Sequence, residues 1–430
     1  MKYTVQTNKN HYKNKGKTLL DVMFILEPKQ PKISKKKQPL NIALAIDCSS
    51  SMSELAERKN FSDNNHYDVR FILSQNSAKT KMEYAKKAAI QAILSLNDED
   101  RVSIIAFDDS SYIVSESILV KNNKNHLIEK IQSIQPKGST DLHNGWVQAG
   151  KQVAHYLDSN LLNRIIILTD GQTNKGKTLV DDICNDVSVL KHKKISTSTI
   201  GVGLDYNEIL LENMAKSGDG NYYYVEQISE LEKLFLNEFQ DMNLLMGENV
   251  QFKFLPNEHY KILDCYNDFH QHQESYQLPN LIHNKKSYLL YQIEIQSKKN
   301  PSNFELKALL TWDYQGKSFE KELSISLSSI DVSSWKKESE NSEVVAQKAV
   351  YIAAREKDKA LESLRNGDIM GSTQFFQSAH QVLSSAPVTQ STTMALNASQ
   401  KAINLSNNND FENLKKLASY QNYQSRNSRT

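Results

Sequence analysis

The sequence predicts an α/β protein. Its core is a doubly wound, mostly parallel, Rossmann-like sheet, inserted in an antiparallel β-sandwich and followed by a C-terminal α-helical region. Three observations carry that expectation. Apolar runs that end abruptly in aspartate, Asn41–Asp47 and Arg164–Asp170, alternate with helical periodicities to about residue 247, as parallel strands buried on both faces do. From Val250 onward, apolar and polar residues alternate in short segments separated by turns, the pattern of an antiparallel sheet. From about residue 342 the period becomes helical.

Residues 1–36 contain two strand-like stretches, Tyr3–Val5 and Leu19–Leu26, expected to join the sandwich. Lys35–Lys37 reads as a solvated edge that resists strand pairing, with an acid-binding surface as the alternative. Residues 37–245 form the α/β domain, in which Met82, Ala85, Ala89, Ile93 and Leu96 lie at helical spacing. Leu142, Trp146, Ala149, Val153 and Leu157 repeat that spacing. The polar stretch 54–80 has no sustained period and begins directly after Ser51. Residues 246–335 form the sandwich: Val250, Phe252 and Phe254 alternate, Tyr288–Ile295 and Leu306–Trp312 are strands, and Gln315-Gly316 turns the chain into Ser318–Leu327. Residues 340–425 are helical, with Val345, Ala349, Ile352, Ala360, Leu361 and Leu364 on one helix closed by Asn366-Gly367. Two or three shorter helices follow, and Tyr423–Thr430 is expected to fray.

The 430 residues allow two or three domains, and 39% hydrophobic residues suffice for real cores. A net charge of +2 argues against nucleic acid as a partner. The mean hydropathy of −0.57, with no run of spanning length, argues against a membrane span. The N-terminus shows no apolar export segment. Cys48, Cys184 and Cys265 are odd in number and far apart, so neither a disulfide framework nor zinc spacing follows, and a cytoplasmic location is expected.

The chemistry concentrates at strand ends. Asp47, Ser49 and Ser51 follow the first buried strand, Thr140 precedes a helix, and Asp170 ends the second buried strand. Parallel strands deliver such residues to one edge of the sheet, where α/β folds place ligands. One carboxylate with two hydroxyls in a single turn is an oxygen set for a hard cation, magnesium rather than zinc. Taken singly, Ser51 and Thr140 also read as helix N-caps, and Asp170 as a turn residue.

In these residues the chain resembles the von Willebrand factor type A domain with its metal-ion-dependent adhesion site. The family pattern, Asp-x-Ser-x-Ser, then Thr, then Asp, falls in order on Asp47, Ser49, Ser51, Thr140 and Asp170. Phe107-Asp108, Ile200–Gly203 and Gly218–Val225 resemble the family's further strand ends and last strand. The likeness covers roughly residues 37 to 240, about half the chain. It implies Mg²⁺, with Mn²⁺ or Ca²⁺ as alternatives, and a protein partner whose Asp or Glu completes the metal shell. It also implies that 54–80 is an insertion on the metal face, where Glu54 or Glu57 is a candidate to fill the open position. The resemblance further implies work beside an ATPase or in a multi-protein assembly, as intracellular relatives of the family often do. The best-known relatives are extracellular, so a surface adhesin or channel-associated subunit is an alternative.

A second motif competes. Gly171–Thr178 matches G-x-x-x-x-G-K-T, follows a strand and precedes a helical stretch, as a phosphate-binding loop would. That reading makes the protein a nucleotide hydrolase. Against it, Gly171 already belongs to the Thr-Asp-Gly of the metal set, and Asp205 is a weak candidate for the second acid. His270-Gln-His272 reads as a solvated loop, with a metal pair as the alternative. Asp108-Asp109 reads as a turn, with a supporting acceptor or second cation site beside the first as the alternative, and no other catalytic set stands out. The expectation is a binding module, not an enzyme.

Overall fold

The computed structural model describes residues 1–29, 38–56, 79–296 and 303–427. The chain forms two compact units: Met1–Ser34 with Leu244–Thr430, and Lys35–Asn243.

The first unit is a sandwich covered by helices. Its N-terminal strands are β1 (Lys2–Thr7), β2 (His11–Lys13) and β3 (Lys17–Glu27). The chain then builds the second unit from β4 (Leu40–Asp47), β5 (Arg101–Phe107), β6 (Ser111–Leu119), β7 (Leu162–Thr169), β8 (Ile195–Val202) and β9 (Asp219–Val225). It returns to the sandwich with β10 (Leu245–Phe254), β11 (Tyr260–Cys265), β12 (Gln271–His272), β13 (Ser275–Gln277), β14 (Leu281–Ile282), β15 (Ser287–Gln296), β16 (Asn303–Tyr314) and β17 (Lys317–Ile330).

One sandwich sheet has the order β1-β3-β15-β11, and the other runs β12-β13-β10-β16-β17-β2 with β14 also on β10. Between them lie Phe24 and Tyr291 from one sheet and Val250, Phe252, Phe254, Leu306 and Leu310 from the other. Phe252 stacks on Tyr291 with ring centroids 5.4 Å apart. The outer face of β3 is covered too: Met23, Ile25 and Leu290 pack against Val344 and Tyr351 of helix Ser342–Arg365. Burial on both faces explains why Leu19–Leu26 lacks clean alternation. Gln315 and Gly316, with φ of 49° and 71°, form the left-handed two-residue turn that puts Tyr314 opposite Lys317.

Helices Ile369–Ser384, Gln390–Asn407 and Phe411–Asn427 complete this unit. The last one continues through Tyr423–Asn427 of the stretch expected to fray; residues 428–430 lie outside the described residues. Tyr423 is buried, and Asn422 donates to Asp358 Oδ1 at 2.8 Å, so tertiary contacts hold the end that local sequence leaves open.

The second unit is the doubly wound sheet. Its order is β6-β5-β4-β7-β8-β9, parallel throughout except for β5 with the edge strand β6. β4, β7 and β8 are buried along their whole length, which requires helices on both faces. Those helices include Lys81–Ser95, Leu142–His155, Val180–His192, Glu208–Ser217 and Leu231–Asn243. Chain order reverses between β4 and β7, so the loops leaving these strands flank the switch point. Both strands lead into aspartate there.

Candidate metal centre

Three loops meet at the carboxyl edge of β4 and β7. The first leaves β4 at Asp47 and winds into a short 3₁₀ turn, Ser50–Ser53. The second, Lys137–Thr140, lies against it: Lys137 N donates to the Cys48 carbonyl at 2.7 Å, and Ser50 N and Oγ donate to the Gly138 carbonyl at 3.1 and 2.9 Å. Gly138 has φ +69°, and a Cβ there would lie 3.2 Å from that of Asp108. The third carries Asp170 and Gly171. A Cβ on Gly171 would sit 3.2 Å from Thr140 Oγ1, close enough that the hydroxyl would have to give by a few tenths of an ångström, and 3.7 Å from Ser51 Oγ, so the glycine lets the three loops close without a shift.

All five sequence-predicted oxygens are brought to this place. Ser51 Oγ donates to Asp170 Oδ1 at 2.7 Å and lies 3.0 Å from Ser49 Oγ. Asp47 Oδ1 accepts from Ser49 N at 2.8 Å, and Oδ2 accepts from Thr169 Oγ1 at 2.5 Å. Asp47, Thr169 and Asp170 are fully buried, and Ser49 and Thr140 nearly so. The simpler readings of the hydroxyls lose ground. Asp141, not Thr140, caps helix Leu142–His155, accepting from Asn144 N at 3.0 Å. Ser51 spends its hydroxyl on Asp170 rather than on a cap.

The electrostatics disfavour a bare negative charge on Asp47. Burial pushes the Asp47 carboxyl up to about 7, and the charge of Asp170 adds to the push against the bonds from Thr169 and Ser49. Every hydrogen bond to Asp47 just described comes from a neutral donor. Burial, aided by Asp108 and Asp47, also pushes the Cys48 thiol up to about 12, so it offers no thiolate. Among the described residues, no group of three or more His, Cys, Asp or Glu side chains is arranged to hold a metal. The set here is instead two carboxylates and three hydroxyls, which fits a hard cation that keeps waters.

Two residues at the site were not singled out from sequence. Thr169 lies one position before Asp170 and was legible in the same motif. Lys81 was not. Its Nζ lies 2.7 Å from Asp170 Oδ2 and 3.1 Å from Glu54 Oε2. Burial disfavours its charge, but Asp170 and Glu54 outweigh that and raise its pKa above the ordinary lysine value. The one available signal was the capping box Thr80–Glu83, which starts helix Lys81–Ser95 and sets Lys81 in its first turn. Glu54, a candidate for the open metal position, is thus paired with Lys81; Glu57 lies outside the described residues.

The phosphate-loop motif has a different geometry from its sequence. The helix begins at Val180, beyond Thr178. Lys177 Nζ pairs with Asp186 Oδ2 at 2.6 Å, and His143 Nε2 lies 2.8 Å from the same oxygen. Lys177 first, then His143, hold the Asp186 carboxyl below its ordinary range. The amides of Asn174 and Lys175 donate to the Thr140 carbonyl, and a Cβ on Gly176 would strike the Asp141 carboxylate at 2.5 Å. This loop is packed onto the second metal-face loop.

The family model of the von Willebrand factor type A domain matches residues 68–237. The solved von Willebrand factor type A protein of Catenulispora acidiphila superposes with a TM-score of 0.66, covering 94% of this chain and 88% of that one at 13% identity. This chain carries a von Willebrand factor type A domain. The structure of the ArnB paralog VWA2 from Sulfolobus acidocaldarius shares the fold over 100% of this chain and 98% of its own, with a TM-score of 0.63 and 16% identity. Among curated relatives, the uncharacterized protein YfbK of Escherichia coli is 28% identical over 249 residues, 56% of this chain and 38% of its own. The uncharacterized protein sll0103 of Synechocystis is 28% identical over 231 residues, 53% of this chain and 48% of its own. The match thus spans less than half the length of either. The domain belongs to a family of metal-dependent protein-interaction modules. Its first metal-face segment, Asp47–Ser51, lies before the matched residues.

Proposed function

We propose that the domain holds Mg²⁺ through Asp47, Ser49, Ser51, Thr140 and Asp170 and captures a protein partner by an Asp or Glu side chain. The observation that carries this reading is the bond from Ser51 to Asp170, with the Thr140 hydroxyl against Gly171. It draws the oxygens of three loops together at the switch point. Bound there, the ion supplies a Lewis-acid position for a partner carboxylate. The chain's own residues do the rest. Asp47 and Asp170 balance the ion's charge, and the hydroxyls supply neutral oxygens. Thr169 fixes the Asp47 carboxylate at its second oxygen. Mn²⁺ and Ca²⁺ suit the same donor set.

We read the protein as a binding module of the cytoplasm, not an enzyme. The three thiols, free of disulfides, support a reducing compartment. The pairing of Lys177 with Asp186 supports the Gly171–Thr178 loop as part of the metal face rather than a phosphate cradle. Affinity capture from a native lysate, in Mg²⁺ and in EDTA, with wild type and Asp47→Ala, tests the binding reading. A partner retained only by wild type in Mg²⁺ is expected, and an identical set under all conditions refutes it. A fluorescent ATP analogue should show no saturable binding. Saturation abolished by Lys177→Ala would install the hydrolase instead.

A further inference from the structure

We propose that Lys81 is a tethered counter-cation that sets how tightly the centre takes its divalent ion. The inference rests on the metal reading above and extends it to a residue outside the family pattern. Lys81 Nζ lies 2.7 Å from Asp170 Oδ2, while Ser51 Oγ uses the other oxygen of the same carboxylate. The Lys81 side chain is 10% exposed and that of Asp170 is fully buried, so the two charges meet with little solvent between them. A full positive charge on Asp170 partly does what a divalent ion would do. The ion must therefore displace the ammonium or sit beside it against repulsion.

The position of Lys81 is itself controlled. Leu55 and Thr80 form an isolated antiparallel bridge, Ala56 N donates to the Lys79 carbonyl, and Lys81 N donates to the Glu54 carbonyl, both at 3.0 Å. These bonds close the stem of the segment that departs after Ser51. Glu54 Oε2, on that stem, holds the same ammonium at 3.1 Å. Glu54 and Asp170 thus share one lysine. Any change at the stem that strengthens the pull of Glu54 frees Asp170 for the metal.

The test titrates Mn²⁺ into full-length, chelator-stripped protein by calorimetry, with circular dichroism confirming the fold. Removing the charge in Lys81→Gln should tighten Mn²⁺ on the order of tenfold, as expected for a unit charge lost from a partly buried site. Lys81→Arg, which keeps the charge, should bind like wild type, and Glu54→Gln should bind more weakly. Equal or weaker binding in Lys81→Gln, or equal tightening in Lys81→Arg, overturns the proposal. If Asp47→Ala still abolishes binding in that case, the metal reading stands alone. Absence of binding in both wild type and Lys81→Gln overturns both readings, whereas binding by Lys81→Gln alone is the strongest support. A second measurement needs no charge-removing variant. The ¹H–¹⁵N resonance of the Lys81 ammonium, assigned by its loss in Lys81→Arg, should shift on saturation with Mg²⁺. An unmoved resonance overturns the proposal.

Discussion

Asp170 carries two partners on one buried carboxylate, Ser51 on one oxygen and Lys81 on the other. Removing it leaves an ammonium without its closest counter-charge, and breaking a buried pair from one side is costly. Asp170→Ala is therefore expected to lose roughly 3 kcal/mol in chelator, read from urea unfolding. A loss within error would show that Lys81 turns to Glu54 or to water at no cost. A different lysine gives a pH signature. Lys357 in helix Ser342–Arg365 is buried, with Gln421 Oε1 3.4 Å away. Burial pulls its pKa from 10.5 down to about 8, against the opposing charge of Asp358. Below pH 8 both folded and unfolded states hold the proton, and the cost of burying the charge is fully present. As pH rises towards 10.5 the folded state sheds the proton first, and that cost disappears. Lys357→Met should be more stable than wild type by roughly 2 kcal/mol at pH 7, with the gain fading between pH 8 and 10. A pH-independent difference would mean the lysine is charged and satisfied. The contrast with the metal set is instructive. The five oxygens were legible because each ends a strand or opens a turn. Lys81 and Lys357 were not, since a lysine at helical spacing looks the same whether it faces water or a carboxylate.

At the scale of elements, strand ends were the most legible feature and helix placement the least. β4 and β7 declared themselves through uninterrupted apolar runs, and Gln315-Gly316 through the left-handed turn such residues tolerate. Less legible was how closely helix Leu142–His155 approaches β5. A Cβ on Gly145 would stand 2.5 Å from Phe107 Cγ, so the helix rests directly on that ring. Nothing in the period of Leu142, Trp146, Ala149 and Val153 reveals it, because the period fixes which face is buried and not the distance to the sheet. The spacing matters for the site, since Thr140 and Asp141 lead into this helix. Gly145→Ala must push the helix off Phe107 and is expected to cost roughly 1–3 kcal/mol by overpacking. Because Thr140 moves with the helix, Mn²⁺ affinity should fall as well. Destabilisation with unchanged affinity would show that the second loop is fixed by its own bonds to Cys48 and Gly138 instead.

At the scale of the whole chain, one unit is interrupted by another, and the interruption has a local signature. The sandwich strand β3 ends at Glu27, and β10 starts at Leu245. The Pro28 carbonyl accepts from Asn284 N at 3.2 Å, and the Leu244 carbonyl accepts from His283 N at 2.7 Å. The points where the chain leaves and re-enters the sandwich are thus held on adjacent residues of one turn. Closing so short a gap requires few residues, and the entropic cost of a loop grows only slowly with its length. In the sequence the composition shifts near residue 247, but a change of texture says nothing about whether two distant points coincide in space. Replacing residues 38–242 by a short Gly-Ser linker should leave a folded sandwich with its helices, seen as a cooperative melt and dispersed amide resonances. The excised segment, 38–242, contains all six strands of its own sheet and should fold and bind Mn²⁺ as the full chain does. Should the linked sandwich stay unfolded while 38–242 folds, the turn at His283-Asn284 is not what secures the junction, and the sandwich needs the inserted domain to bring its two halves together.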